Sequence, residues 1–344
     1  MRPLAFEYDL SQHIDEAEPA MLFTGSSVEE LRDWQARFRA KVLSLLGILP
    51  ERAALVVEYE EETDCGSYTR HKIRYQTEAA VWVPAYLLVP KGVTATQQSA
   101  AILCLHGHGQ YGKDSVVGID DTPERAANVK RLQYDFGRRF AEQGYVVLAP
   151  DLRGFGERQP HYPDPKPDYC CRNYMAATLL GRTVVGYQLC DLHAAVDVLE
   201  SLPFVDSEKL AAAGLSYGGR MTMMISAMDN RIKVCVPSGC LNMYQERYQN
   251  LHQCGSQLIP SLLLYGDTPE IFSLIAPRPM VIEWGLQDKL IPHEWAERGL
   301  ARIRKAYAAS GQPDNLTVHQ FDKGHVFEGT VGAEMLHQWR QGVE

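Results

Sequence analysis

The 344 residues predict an α/β fold with a mostly parallel central sheet, helices on both faces and antiparallel strands along its N-terminal edge. Three observations point there. Short apolar runs at residues 100–105, 209–213, 232–236, 279–284 and 316–321 have the length of buried strands, and helical periodicity recurs between them, as in βα units. Residues 55–63, 67–76 and 81–89 alternate instead, around Asp64-Cys65-Gly66, and read as antiparallel strands. Finally, residues 209–213 turn through Gly214-Leu215-Ser216-Tyr217-Gly218 into a stretch where Met221, Met224, Ile225 and Met228 recur at helical spacing.

The elements follow in chain order. Ser27-Val28-Glu29-Glu30 forms a capping box, and Val28, Leu31, Trp34, Phe38, Val42 and Leu45 continue at three- and four-residue steps until Gly47-Ile48-Leu49-Pro50. One apolar face requires a partner. Residues 1–54 are therefore expected as a helical extension packed on the main domain, either covering its surface or touching substrate. On the first edge strand, Glu58, Glu60, Glu61 and Glu62 make an acidic rim that discourages edge-to-edge pairing. Residues 111–125, rich in Gly and Asp, read as a loop insertion, and 126–143 as helix. Pro160, Pro163, Pro165 and Pro167 exclude regular helix from 158–168. A long helix is expected over 181–199. A second insertion spans 238–276 and holds Tyr244, Tyr248, His252 and Tyr265, rings that suit either packing or stacking on a sugar or aryl ester.

The glycine-flanked turn carries the chemistry. Gly214 and Gly218 let it close without Cβ clashes and leave the Ser216 hydroxyl at its tip. Serine is also a common helix N-cap, which is the plainer alternative. A serine hydroxyl becomes nucleophilic only when a base takes its proton, and the base needs a third group to orient it. Asp288, in the loop after residues 279–284, fits the orienting acid, and His325, just past residues 316–321, fits the base. Glu283 is a weaker acid candidate because it lies within its strand. Asp267 reads as a turn initiator, and His319 and His337 as structural or surface residues.

Together these features resemble the α/β-hydrolase superfamily over residues 55–344, with nucleophile, acid and histidine in that order. The resemblance makes His106-Gly107-His108-Gly109 the oxyanion loop. Its donors are then the backbone N–H of Tyr217 and one in this loop, His108 first and Gly109 next. Residues 144–156, Gly144 to Gly156, resemble the family's strand and loop leading toward the site, and the 238–276 insertion falls where its lids lie. Within the superfamily the chain is most similar to acetyl-xylan-esterase-like and dienelactone-hydrolase-like proteins. It departs from dienelactone hydrolases at the elbow, where Ser216 stands in place of cysteine.

The resemblance implies a serine carboxylic-ester hydrolase acting through an acyl-enzyme, on short acyl esters such as acetyl groups on carbohydrates. Lactone, thioester and glucuronoyl ester cleavage and acyl transfer remain alternatives. A prolyl-oligopeptidase-like peptidase is disfavoured, since the N-terminal segment is too short for a β-propeller. A binding protein on the same fold is disfavoured by the intact Ser216, Asp288 and His325. The chemistry needs no cofactor and no metal: His106 and His108 lack further ligands at recognisable spacing.

The net charge of −9 and the absence of a Lys/Arg cluster exclude a nucleic-acid partner. No apolar run approaches the roughly eighteen residues of a membrane span, and no basic, then apolar N-terminal signal is present. Eight irregularly spaced cysteines, including Cys104, Cys190 and Cys235, read as reduced packing residues in a cytoplasmic protein, with no role assigned to Cys170 and Cys171. A small-molecule or saccharide ester is the expected partner, and a homo-oligomer stays open.

Overall fold

The computed structural model describes residues 5–160, 169–250 and 254–342. Nine strands make one sheet among them: β1 (Val57–Asp64), β2 (Tyr68–Glu78), β3 (Val81–Pro90), β4 (Ser99–Leu105), β5 (Val146–Pro150), β6 (Val205–Leu215), β7 (Ile232–Ser238), β8 (Met280–Gly285) and β9 (Leu316–Phe321). Their order is β1-β2-β3-β5-β4-β6-β7-β8-β9. The β1/β2, β2/β3 and β3/β5 pairs are antiparallel, and all pairs from β5/β4 to β8/β9 are parallel. This is the predicted α/β-hydrolase sheet.

Strand order reverses at β4, which has β5 on one side and β6 on the other. In open α/β sheets such a switch point opens a crevice beyond the carboxyl ends of the strands. The loops after β4 and β6 meet there.

Both faces of the sheet are covered, and β4 shows why its sequence is an unbroken apolar run. Ala101, Leu103 and Leu105 belong to the core on one face, while Ala100, Ile102 and Cys104 belong to the core on the other. The first core includes the buried faces of the helices Val28–Leu45, Val184–Ser201, Tyr217–Met228 and His293–Ala309. The second gathers Phe136, Phe140, Phe327 and Leu336.

The capping box at Ser27 and Glu30 forms as expected. From this helix Leu31, Trp34, Phe38 and Val42 are buried, each contributing about 1.5–3 kcal/mol. Gln35 Nε2 donates to the carbonyls of Ser273 (3.0 Å) and Ala276 (2.8 Å), which ties the helix to the second insertion.

Several elements differ from expectation. Residues 111–125 are not all loop: they hold the one-turn helix Lys113–Val116 and the start of Pro123–Leu132, capped by Thr122. The expected helix over 126–143 is broken. Gln133 adopts φ 50° and ends the first helix, and a second, Phe136–Glu142, follows. Periodicity runs through the break, so nothing in the residue pattern betrays it; the turn swings Tyr134 inward to Gly107, in the loop after β4. The long helix begins at Val184, where Thr183 Oγ1 accepts the Gly186 N–H at 2.9 Å. Within 238–276 lie the helices Tyr244–Asn250 and Thr268–Ser273. Of the proline-rich segment 158–168, residues 161–168 lie outside the described residues, as does His252.

Candidate active site

β6 runs directly into Ser216, whose backbone sits at φ 62° and ψ −117°, and the helix Tyr217–Met228 starts at the next residue. A β-carbon on Gly218 would lie 1.9 Å from the Leu105 carbonyl oxygen, and one on Gly214 would lie 2.5 Å from that of Gly218. Only glycine permits this approach of helix and strands. The Ser216 N–H donates to the Ser238 carbonyl at 2.8 Å, which fastens the turn to the end of β7. Although Ser216 precedes a helix, its side chain makes no capping hydrogen bond. The helix-cap alternative is thereby removed.

The predicted acid and base meet. His325 Nδ1 lies 2.6 Å from Asp288 Oδ2, and the other carboxylate oxygen accepts the Leu290 N–H at 2.9 Å. Backbone contacts hold the two loops together: Leu286 N–H donates to Phe321 (2.8 Å) and Gln287 N–H to Lys323 (3.0 Å). A β-carbon on Gly285 would stand 2.1 Å from the Lys323 carbonyl oxygen. Asp288 is buried behind the imidazole, and His325 and Ser216 line one cavity of about 350 Å³.

The loop of residues 106–109, the expected oxyanion loop, is braced from behind. His106 is fully buried, its Nδ1 bonded to the Gly107 carbonyl (2.8 Å) and its Nε2 accepting the Leu152 N–H (2.9 Å). Burial lowers its pKa below the usual histidine value, and with both ring nitrogens engaged it is no metal ligand. The Gly107 N–H donates to the Tyr134 hydroxyl, so of this loop's amides those of His108 and Gly109 are the candidates for an oxyanion. Tyr217 opens its helix, so its N–H has no partner within that helix. The Tyr217 side chain is anchored away from the turn, accepting from Gln188 Nε2 at 3.1 Å and donating to the Ser256 carbonyl at 3.4 Å.

The cavity wall is mixed: Leu132, Leu215 and Leu290 line it beside the basic and polar Arg131, Arg220, Arg247, Asn242 and Gln257. Arg220 is buried; it donates to Thr268 Oγ1 (3.0 Å) and to Asn242, and lies 4.8 Å above the Tyr244 ring. Beside the oxyanion loop, His108 Nε2 stands 3.1 Å from Cys254 Sγ and 3.6 Å from Cys170 Sγ. The hydrogen bond from Cys254 lowers the Cys170 thiol pKa against the effect of burial, with His108 adding to it.

The remaining candidates fall into structural roles. Glu283 is buried and its carboxylate is engaged elsewhere, accepting the Gly329 N–H at 3.1 Å with His319 Nδ1 at 3.5 Å, while His325 pairs with Asp288. Asp267 caps the helix Thr268–Ser273, and His337 is exposed. Trp284 packs in the core. Tyr244 is buried, Tyr248 is exposed, and Tyr265 is half-buried under Lys41. Sequence reading missed Tyr134, Asn242, Cys170 and Cys254 as parts of the site surroundings. Each lies in a turn, an insertion or a helix start where no periodic signal marks it.

A parallel sheet with a switch point, a strained serine turn beyond it and an Asp–His pair beside that turn define a hydrolase of the α/β-hydrolase class. The chain belongs to the Abhydrolase family, whose profile it matches over residues 9–338. It is 29% identical over 314 residues to the candidate hydrolase YtaP of Bacillus subtilis (strain 168), covering 89% of this chain and 99% of that protein. A candidate acetyl xylan esterase from Bacteroides fragilis shares its fold at a TM-score of 0.81 and 19% identity, over 98% of this chain and 96% of that one. A glucuronoyl esterase from Solibacter usitatus does so at a TM-score of 0.64 and 15% identity, over 93% and 96%.

Proposed function

We propose that the chain hydrolyses short-chain carboxylic esters, acetyl esters of carbohydrates foremost, through an acyl-enzyme on Ser216. The observation that carries this reading is the Asp288–His325 pair at 2.6 Å, with His325 and Ser216 sharing one cavity. The pair commits His325 Nδ1 to the carboxylate, so Nε2 is the nitrogen that takes the Ser216 proton as the hydroxyl oxygen attacks the acyl carbon. The amides of Tyr217 and His108 receive the developing oxyanion. His325 then returns the proton to the leaving alcohol, and water attacks the acyl-enzyme by the same route.

The size and lining of the cavity support the substrate class. About 350 Å³ suits a short acyl group, and the three arginines with Asn242 and Gln257 suit an oxygen-rich alcohol. The names of the structural neighbours, an acetyl xylan esterase and a glucuronoyl esterase, point the same way. All eight cysteines are free, which fits a reducing compartment such as the cytoplasm. Among the described residues no helix is long and apolar enough to cross a membrane.

A fluorophosphonate probe tests the mechanism: it should label Ser216, and Ser216→Ala should lose both the label and p-nitrophenyl acetate turnover. Labelling of another residue, or undiminished turnover by that variant, overturns it. A screen of p-nitrophenyl esters of rising acyl length, beside acetylated xylan and a glucuronate methyl ester, tests the substrate. Preference for long acyl chains would sink the acetyl reading.

A further inference from the structure

The thiols of Cys170 and Cys254 and the imidazole of His108 converge from three distant parts of the chain. Cys170 begins the helix Tyr169–Leu179, Cys254 lies in the second insertion, and His108 belongs to the oxyanion loop. His108 Nε2 is 3.1 Å from Cys254 Sγ and 3.6 Å from Cys170 Sγ, and the three atoms lie within 4.8 Å of one another. Tetrahedral bonds of about 2.3 Å to sulfur and about 2.0 Å to nitrogen put ligand atoms roughly 3.5–3.8 Å apart. The observed spacing needs only small side-chain adjustments to reach this.

We propose that Cys170, Cys254 and His108 form a three-ligand zinc site that joins the oxyanion loop to the second insertion. The donor set decides the ion, since two thiolates and an imidazole select zinc over magnesium or calcium, which require oxygen ligands. His108 is already aimed: its ring meets Phe155 edge-on at 5.2 Å and lies 5.0 Å from that of Tyr217. His108 and Cys170 border a cavity of about 310 Å³ with Gln159 and Asn173, which has room for a water as fourth ligand. Three protein ligands and an open position form the exchangeable type of zinc site. Zinc is held by thiolates, so protons compete with it for the site and affinity falls at acid pH.

A second group, Glu283, His319 and Glu328, also brings three donors together. Its contacts are already accounted for, because Glu283 accepts the Gly329 N–H and both carboxylates flank His319. The group of His108, Cys170 and Cys254 differs in its donors, two sulfurs and an imidazole, the softer set.

Metal there would fix the backbone of residues 106–109 from the wall of the Ser216 cavity, which His108 and Cys254 both line. An effect on turnover rests on the role proposed for the His108 amide, whereas metal binding itself does not.

The full-length chain, reduced and stripped with a chelator, is titrated with Co²⁺ under anaerobic conditions. One equivalent should produce thiolate-to-cobalt charge transfer in the near ultraviolet and the visible bands of a tetrahedral site, both abolished by Zn²⁺. Cys170→Ser and Cys254→Ser should each weaken Zn²⁺ binding by more than about 100-fold, beyond what outer-shell losses cost. Cys171→Ser, one residue away and outside the group, should bind as the parent does. Absence of the charge-transfer band, its persistence in both serine variants at the ligand positions, or a Cys170–Cys254 disulfide in place of metal in the purified protein would overturn the assignment.

Discussion

Replacing Ser216 by glycine should make the protein more stable than replacing it by alanine, although both changes remove the same hydroxyl. A residue bearing a β-carbon at φ 62° and ψ −117° stores about 1–3 kcal/mol of backbone strain. Alanine keeps that strain, and glycine releases it. Against this, glycine adds about 0.5–1 kcal/mol of unfolded-state entropy. Ser216 is half-buried at the cavity wall, so deleting its β-carbon forfeits little packing. The net difference is about 1 kcal/mol in favour of Ser216→Gly. Urea unfolding followed by the fluorescence of the five tryptophans measures it. With a slope of about 3 kcal/mol per molar urea, the glycine midpoint should lie roughly 0.3 M above that of alanine. A midpoint equal to or below that of Ser216→Ala would show that the turn stores no strain.

Gly218→Ala drives a β-carbon to 1.9 Å from a backbone oxygen and should cost more than about 4 kcal/mol; soluble yield and urea midpoint report it. Gly109→Ala, with nothing within 4 Å of its new methyl, should leave the midpoint unchanged. Asp288→Asn should lower kcat for p-nitrophenyl acetate by about 10³–10⁴ by removing the anion that orients His325, with the thermal midpoint little altered. Asp229→Asn tests a pH-linked contact. Burial works against the Asp229 carboxylate, but hydrogen bonds from His193 and Arg231 hold its pKa well below the usual value. A depressed carboxylate stabilises above the unfolded value, near about 3.9, and loses that contribution below it. The thermal midpoint should therefore fall in Asp229→Asn at neutral pH, and its gap to the parent should narrow below about pH 4.

Much of the sheet was legible because each buried strand reads as an apolar run with its own boundary signals. β9 is predicted to the residue, and β6 is longer than expected because its polar, partly buried first half, with Asp206, Ser207 and Glu208, looks like a turn. Ser216, Asp288 and His325 were legible because each follows a strand directly, so that chain order converts into position. Distance in sequence hid the rest. Tyr134 reaches Gly107 only because Gln133 takes a left-handed turn inside an apparently continuous helical pattern. Cys170 and Cys254 stand 62 and 146 residues from His108, and no local spacing rule spans such gaps.

The close approach of backbones at Gly218 and Gly285 bears on how the protein ages with heat. Where peptide groups abut, as at Leu105 and Lys323, the reacting geometry has no slack, and a loosened side chain elsewhere has no path by which to detune it gradually. The spacing of the site acts as a ruler cut into the main chain. After heating and assay at one fixed temperature, rate per folded molecule should hold while the number of folded molecules falls, so that inactivation and unfolding trace one curve.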